Sequence, residues 1–269
     1  MTTDHTFRDI GQWVEQRLDA TVIRERPFRH LVVDDVLPPA FYEALREQWP
    51  ATGLFKSDGK GRKYDLVPLP AERTADARAS LYGMLPASAR QLWDFFVFKI
   101  NRTIVGPRLR EMFRVDIDAR LNQLRSAQHR GLITYPMART DTWEPAANVG
   151  RFMMRGPGYE LKPHVDAMPY VLTVLHYFPD EVVHGADGTV LYQAAAALDF
   201  DRCARTGSTE YFDTAGITTR EVLRIPFRGN SLLAFPNRLD AAHGALPPER
   251  GLRRLFQYHL SLKGDHEKV

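Results

Sequence analysis

The chain has 269 residues, 36 Lys+Arg against 33 Asp+Glu and 44% hydrophobic residues, a composition that excludes disordered, collagen-like and low-complexity proteins. The formal charge of +3 comes from scattered arginines without a basic, aromatic-interleaved face, which argues against a nucleic-acid partner. A single cysteine, Cys203, has no second thiol to pair with, and no run of about 18 apolar residues follows the polar start MTTDHTFRD. A soluble, cytoplasmic protein without a membrane partner is therefore expected.

Phe7, Ile10, Trp13 and Leu18 recur at helical spacing and predict an amphipathic helix over 7–18. The β-branched run at 30–37 predicts a strand, and Pro38-Pro39 then starts a helix over 40–48. The segment 55–63, FKSDGKGRK, has little to bury and reads as a mobile surface loop. Ser88 is a candidate N-cap for a long helix carrying Leu92, Trp93, Phe96 and Ile100 and ending near Gly106-Pro107. From about residue 118 the texture changes to short strand-like runs, at 131–135, 148–154, 170–178, 189–193, 218–225, 231–235 and 253–262. Residues 194–215 read as an insertion with helical stretches at 194–197 and 199–202. The expectation is a mainly β (α+β) fold, one domain over 1–269, with helices in about 1–115 supporting a β sandwich or barrel in about 118–262.

The chemistry-bearing pattern is Lys162-Pro163-His164-Val165-Asp166. In a strand, residues two apart share a face, so His164 and Asp166 project together at about 6.6 Å Cα spacing. Two imidazoles and one carboxylate form the set that leaves a face of an octahedral iron(II) open in non-haem oxygenases. The distant second imidazole is His243, on the exit side of a turn after the apolar run at 231–235. Arg253 follows ten residues later, and a planar guanidinium suits a buried carboxylate. Strand alternation groups Arg253 with Leu255, Gln257 and His259, and Arg254 with Phe256, Tyr258 and Leu260, so Arg254 competes for that role. His176, His184 and His259 read as core, loop and strand-face residues.

With His164, Asp166, His243 and Arg253 in this order, the chain resembles the 2-oxoglutarate- and iron(II)-dependent oxygenase superfamily, particularly its prolyl-hydroxylase-like branch. LVVDDVLPP at 31–39, FYEALR at 41–46, YVLTVLHYFP at 170–179 and GTVLY at 188–192 are similar to elements of that branch, so the resemblance covers about residues 30–260. It implies a double-stranded β-helix, or jelly roll. His164, Asp166 and His243 match its catalytic iron ligands, Arg253 its 2-oxoglutarate salt-bridge residue, and Tyr177 a position whose hydroxyl meets the same carboxylate in some members. Arg155 stands where relatives often carry tyrosine, which makes it a candidate for holding an anionic group of the substrate. The implied cofactors are iron(II), 2-oxoglutarate as cosubstrate and dioxygen. The implied activity is a dioxygenase reaction, most simply hydroxylation of a small-molecule or carrier-linked metabolite with succinate and carbon dioxide as coproducts. Asp166 favours hydroxylation over halogenation, while desaturation, epimerisation and ring formation stay open. Two alternatives are a hydroxylase of peptidyl side chains and a cupin-like metal-binding module without oxygenase activity.

Overall fold

Two antiparallel sheets face one another, and helices cover the outer face of the larger. The structure, a computed structural model, describes residues 3–66, 83–133, 145–179 and 188–262, with side chains from residue 7 onward. The larger sheet holds β1 (Leu31–Val33), β2 (Lys56–Ser57), β3 (Lys63–Leu66), β4 (Ala146–Ala147), β5 (Arg151–Arg155), β7 (Tyr170–Tyr177), β11 (Ser231–Pro236) and β13 (Arg253–Ser261). The smaller holds β6 (Leu161–Val165), β8 (Thr189–Ala194), β9 (Glu210–Tyr211), β10 (Thr219–Arg224) and β12 (His243–Ala245). The spatial order is β1-β11-β7-β13-β5-β3-β2, with β4 beside β13, against β10-β8-β12-β6-β9. From β5 onward the chain alternates between sheets, apart from the β8-to-β10 return within the smaller one. This winding is a jelly roll, the fold expected from the resemblance.

Both faces of β13 are buried, which the sequence could not rank. Leu255 packs with Met153, Leu175 and Phe227 between the sheets. Phe256 packs outward with Phe152 and Trp93, whose rings stand 4.6 Å apart edge to face. That outer layer is covered by α1 (Thr3–Asp19), α2 (Pro39–Glu47), α3 (Ala87–Asp94), a π-helical stretch at Phe95–Val105, α4 (Gly106–Met112) and α5 (Arg114–His129). A further helix, α6 (Phe200–Thr206), lies in the insertion and is N-capped by the Asp199 carboxylate.

Several expectations are corrected. The helix near Ser88 begins after Pro86 without a side-chain cap, and it runs on through Gly106-Pro107 because Pro107 falls in the first turn of α4, where its missing N–H is tolerated. Residues 114–129 are helical, not the start of the strand region. Buried Ile117, Leu121, Leu124 and Ala127 make a narrow stripe among polar residues, and so weaken the apolar signal. Residues 131–133 form no strand, and the rest of that expected run lies outside the described residues, as does His184. The segment at 55–63 is a hairpin, not a mobile loop. The Asp58 carboxylate accepts from the Lys60 and Arg62 amides at its turn, and β3 pairs with β5. Its charge hid the half-buried Tyr64 and buried Leu66 that anchor it. No helix among the described residues is long and apolar enough to cross a membrane.

His176 on β7 points into the helical layer, against Phe96 at 5.0 Å, and meets Asn101 Oδ1 at 3.0 Å. Burial pushes its imidazole from 6.5 down to about 3. Between those values the unfolded chain binds a proton that the folded chain refuses, so the contribution to stability is present above the unfolded value and lost as pH falls. His176→Gln, which still donates to Asn101, is expected to flatten the stability loss on acidification by up to about 1.4 kcal/mol per pH unit over that window. Urea unfolding at a series of pH values measures this, and a slope equal to wild type would exclude His176 as its source.

Candidate metal centre

The smaller sheet sets two imidazoles side by side. His243 on β12 is the direct register partner of His164 on β6, and the two ring centroids lie 4.2 Å apart. Each ring is fixed by its own backbone. His164 Nδ1–H donates to the Lys162 carbonyl at 2.9 Å, and His243 Nδ1–H to the Ala241 carbonyl at 3.1 Å. A carbonyl only accepts, so both rings carry the proton on Nδ1 and turn an Nε2 lone pair inward. Asp166, just past the end of β6, meets those nitrogens through Oδ1 at 3.5 Å and Oδ2 at 3.6 Å. One ligating atom from each of the three buried residues falls within 4.8 Å of the others.

Asp166 is held from behind. Thr173 Oγ1 donates to its Oδ2 at 2.5 Å, and Asn237 Nδ2 donates to the backbone carbonyls of Asp166, Ala167 and Tyr170. His259 Nε2 stands 3.6 Å from the same Oδ2, its ring stacked on Tyr170 at 3.8 Å. Burial alone would raise the Asp166 carboxyl, but the three imidazoles around it, His243 first, hold it well below the usual carboxylate range. Burial pushes the His164 and His259 imidazoles down, towards the neutral form. A carboxylate and two imidazoles, each oriented through its Nδ1 hydrogen bond, suit a divalent transition metal, and the donor set with room on one side suits iron(II).

A cavity of about 220 Å³ lies between the sheets and is lined by all three residues. Arg253, 3% exposed, lines it too; its Nη1 donates to the Gly188 and Leu246 carbonyls, and its guanidinium stands 5.8 Å from the Phe227 ring. Tyr177 is close by, its hydroxyl 2.7 Å from Thr189 Oγ1, and burial pushes that phenol up to about 12. Arg254, on the opposite face of β13, does not border the cavity. Arg155 does, 2% exposed, but Nη1 donates to the Tyr64 and Met154 carbonyls and Nη2 to Asp65 at 2.6 Å. Sequence reasoning missed His259, Thr173 and Asn237 behind Asp166, and Arg151 on the cavity wall. Strand alternation carries the signal for two of them, since His259 shares a face with Arg253 and Arg151 shares one with Arg155.

No protein-family model matches the chain, and no curated protein does. Among solved structures it is similar to HygX from Streptomyces hygroscopicus, with nickel, 2-oxoglutarate and hygromycin B bound, at 15% identity and a TM-score of 0.41 over 96% of this chain and 87% of that one. It is likewise similar to a Pseudomonas putida prolyl-4-hydroxylase, at 14% identity and a TM-score of 0.44 over 93% of this chain and 100% of that one. A third is SnoK, a non-heme alpha ketoglutarate dependent carbocyclase from nogalamycin biosynthesis, at 10% identity and a TM-score of 0.42 over 96% of this chain and 83% of that one.

Proposed function

We propose that the protein is an iron(II)- and 2-oxoglutarate-dependent dioxygenase that hydroxylates a small-molecule or carrier-linked metabolite. The observation that carries this reading is the sharing of one cavity by two features, the pair of Nε2 lone pairs facing Asp166 and the buried guanidinium of Arg253. A metal-binding module without a cosubstrate has no use for the second.

In this reading His164, Asp166 and His243 hold the metal, and the metal supplies activation of dioxygen coupled to oxidative decarboxylation of the cosubstrate. The protein's part is placement. Arg253 takes the far carboxylate of 2-oxoglutarate through its charged fork, and Tyr177, a neutral phenol at any ordinary pH, donates its hydroxyl proton to the same group. Arg155, the register partner of Arg253 on β5, lines the same end of the cavity with its guanidinium paired to Asp65. The Nδ1–H bonds to carbonyls keep both imidazoles in the ligating tautomer. The insertion returns as β9 to pair with β6, bringing Tyr211 within 5.6 Å of the His164 ring. Thr209 and Tyr211 of the insertion thereby line the cavity.

Under argon, iron(II) plus 2-oxoglutarate is expected to give the purified protein a visible charge-transfer band, and its absence would end the oxygenase reading. Arg253→Ala should keep metal binding and raise the 2-oxoglutarate concentration at half-maximal band by about 10- to 100-fold, the worth of a charge-assisted pair. An Arg253→Ala titration matching wild type would move the role to another residue.

A further inference from the structure

The cavity wall is strongly cationic. Lys63, Arg151, Arg155 and Arg253 line it, and Asp166 is its one carboxylate among the described residues. Asp65, behind the wall, pairs with two of these cations, Arg155 at 2.6 Å and Lys63 at 3.5 Å. Arg253 is assigned above to the cosubstrate. That leaves Arg151.

The Arg151 guanidinium is positioned but not neutralised. Its Nε and Nη2 both donate to Gln257 Oε1, at 2.9 and 2.5 Å, an uncharged acceptor on the paired strand, and no carboxylate partner stands against it among the described residues. Gln257 Nε2 is in turn 3.4 Å from His259 Nε2, so the brace connects to the residue behind Asp166. Along the β5–β13 pair the inward positions run Arg155 with Arg253, Met153 with Leu255, then Arg151 with Gln257. Four residues of strand separate the two cationic ends by about 13 Å. Apolar Met153, Leu255 and Leu161 border the space between them. A half-buried guanidinium held in one orientation by a neutral partner, with Nη1 unused by that brace, is built to receive an anion.

We infer that the primary substrate carries a carboxylate or comparable anionic group, and that Arg151 braced by Gln257 binds it at the metal end of the cavity. The inference rests on the oxygenase reading only for giving Arg253 to the cosubstrate. The same chemistry has a second source, the oxoacid end of 2-oxoglutarate itself, and the test separates the two.

The probes are benzoate and benzamide, equal in shape and differing in charge, titrated calorimetrically into protein saturated with nickel(II) and 2-oxoglutarate. Benzoate is expected to bind at least about 10-fold more tightly, as one charge-assisted hydrogen-bond pair allows. Arg151→Gln, which still donates to Gln257, should abolish that preference, and Arg151→Lys should keep part of it. In the iron(II) band titration under argon, Arg151→Gln should shift half-saturation by 2-oxoglutarate less than about 3-fold, far below Arg253→Ala. Benzoate binding no tighter than benzamide, with neither detectable included, overturns the inference, as does a preference that survives Arg151→Gln. An Arg151→Gln variant that loses 2-oxoglutarate like Arg253→Ala also overturns it, because the anion is then the cosubstrate's. A wild-type protein that shows no band defeats the oxygenase reading instead, a result distinct from all of these.

Discussion

His164→Ala is expected to abolish iron(II) binding at micromolar metal while leaving the protein folded. Three protein donors converge within 4.8 Å, and removing one leaves a two-donor site that holds a divalent ion weakly. Loss of a residue that only orients a ligand typically costs about 10- to 100-fold in affinity, so loss of the ligand should exceed that. The fold should survive because Asp166 keeps its hydrogen bond from Thr173 and its neighbour His259, and because Asn237 still ties the turn that carries it. His259→Gln supplies the graded comparison. It removes a group that touches Asp166 without pointing a lone pair at the centre, and should fall inside the 10- to 100-fold range. Competition against a fluorescent chelator, with circular dichroism as the check on folding, measures both. A folded His164→Ala that binds metal like wild type would remove His164 from the site.

The part of the fold legible in the sequence is the part written in short-range signals. β7, β8, β11 and β13 show as β-branched or apolar runs between turn residues, and each forms where expected within two residues. α5 was missed because its buried stripe is one residue wide and Asp116 and Arg120 are buried beside it, so the apolar count that marks a helix never rises. The hairpin of β2 and β3 was missed for the converse reason, an exposed, charged turn between two short strands. At the site, His-x-Asp and a later histidine are chain-local patterns and could be read. The pieces that turn ligands into a centre are not local. The tautomers depend on the Lys162 and Ala241 carbonyls, and Asp166 depends on Asn237, 71 residues away. Arg155 illustrates the limit most clearly. Its position in the chain marks it as an anion holder, yet the strand that pairs beside it brings Asp65 to its guanidinium, and only the register shows that Arg151 stands without such a partner.

Gly244→Ala should both destabilise the protein and weaken metal binding, although no side chain at this position touches the centre. A Cβ at Gly244 would lie 2.4 Å from the Leu161 carbonyl oxygen and 3.2 Å from the Lys162 carbonyl carbon. Both are backbone atoms of β6, so the contact is relieved only by moving one strand away from the other. The ladder between β12 and β6 is irregular between His243 and Ala245, which leaves few other bonds to hold it. The displaced backbone bears the chemistry directly, because His243 and His164 are register partners on these two strands and each ring is hydrogen-bonded to its own strand or turn. Overpacking of this kind costs about 1–3 kcal/mol, and misplacing one ligand should cost metal affinity about 10- to 100-fold. Gly53→Ala is the control, since a Cβ there meets nothing within 4 Å and the backbone is not left-handed. It should leave both properties unchanged. Urea unfolding and chelator competition on the two variants decide the matter. A Gly244→Ala protein that is less stable but binds metal like wild type would mean that β12 yields without moving His243, and that the close approach of these strands serves the fold alone.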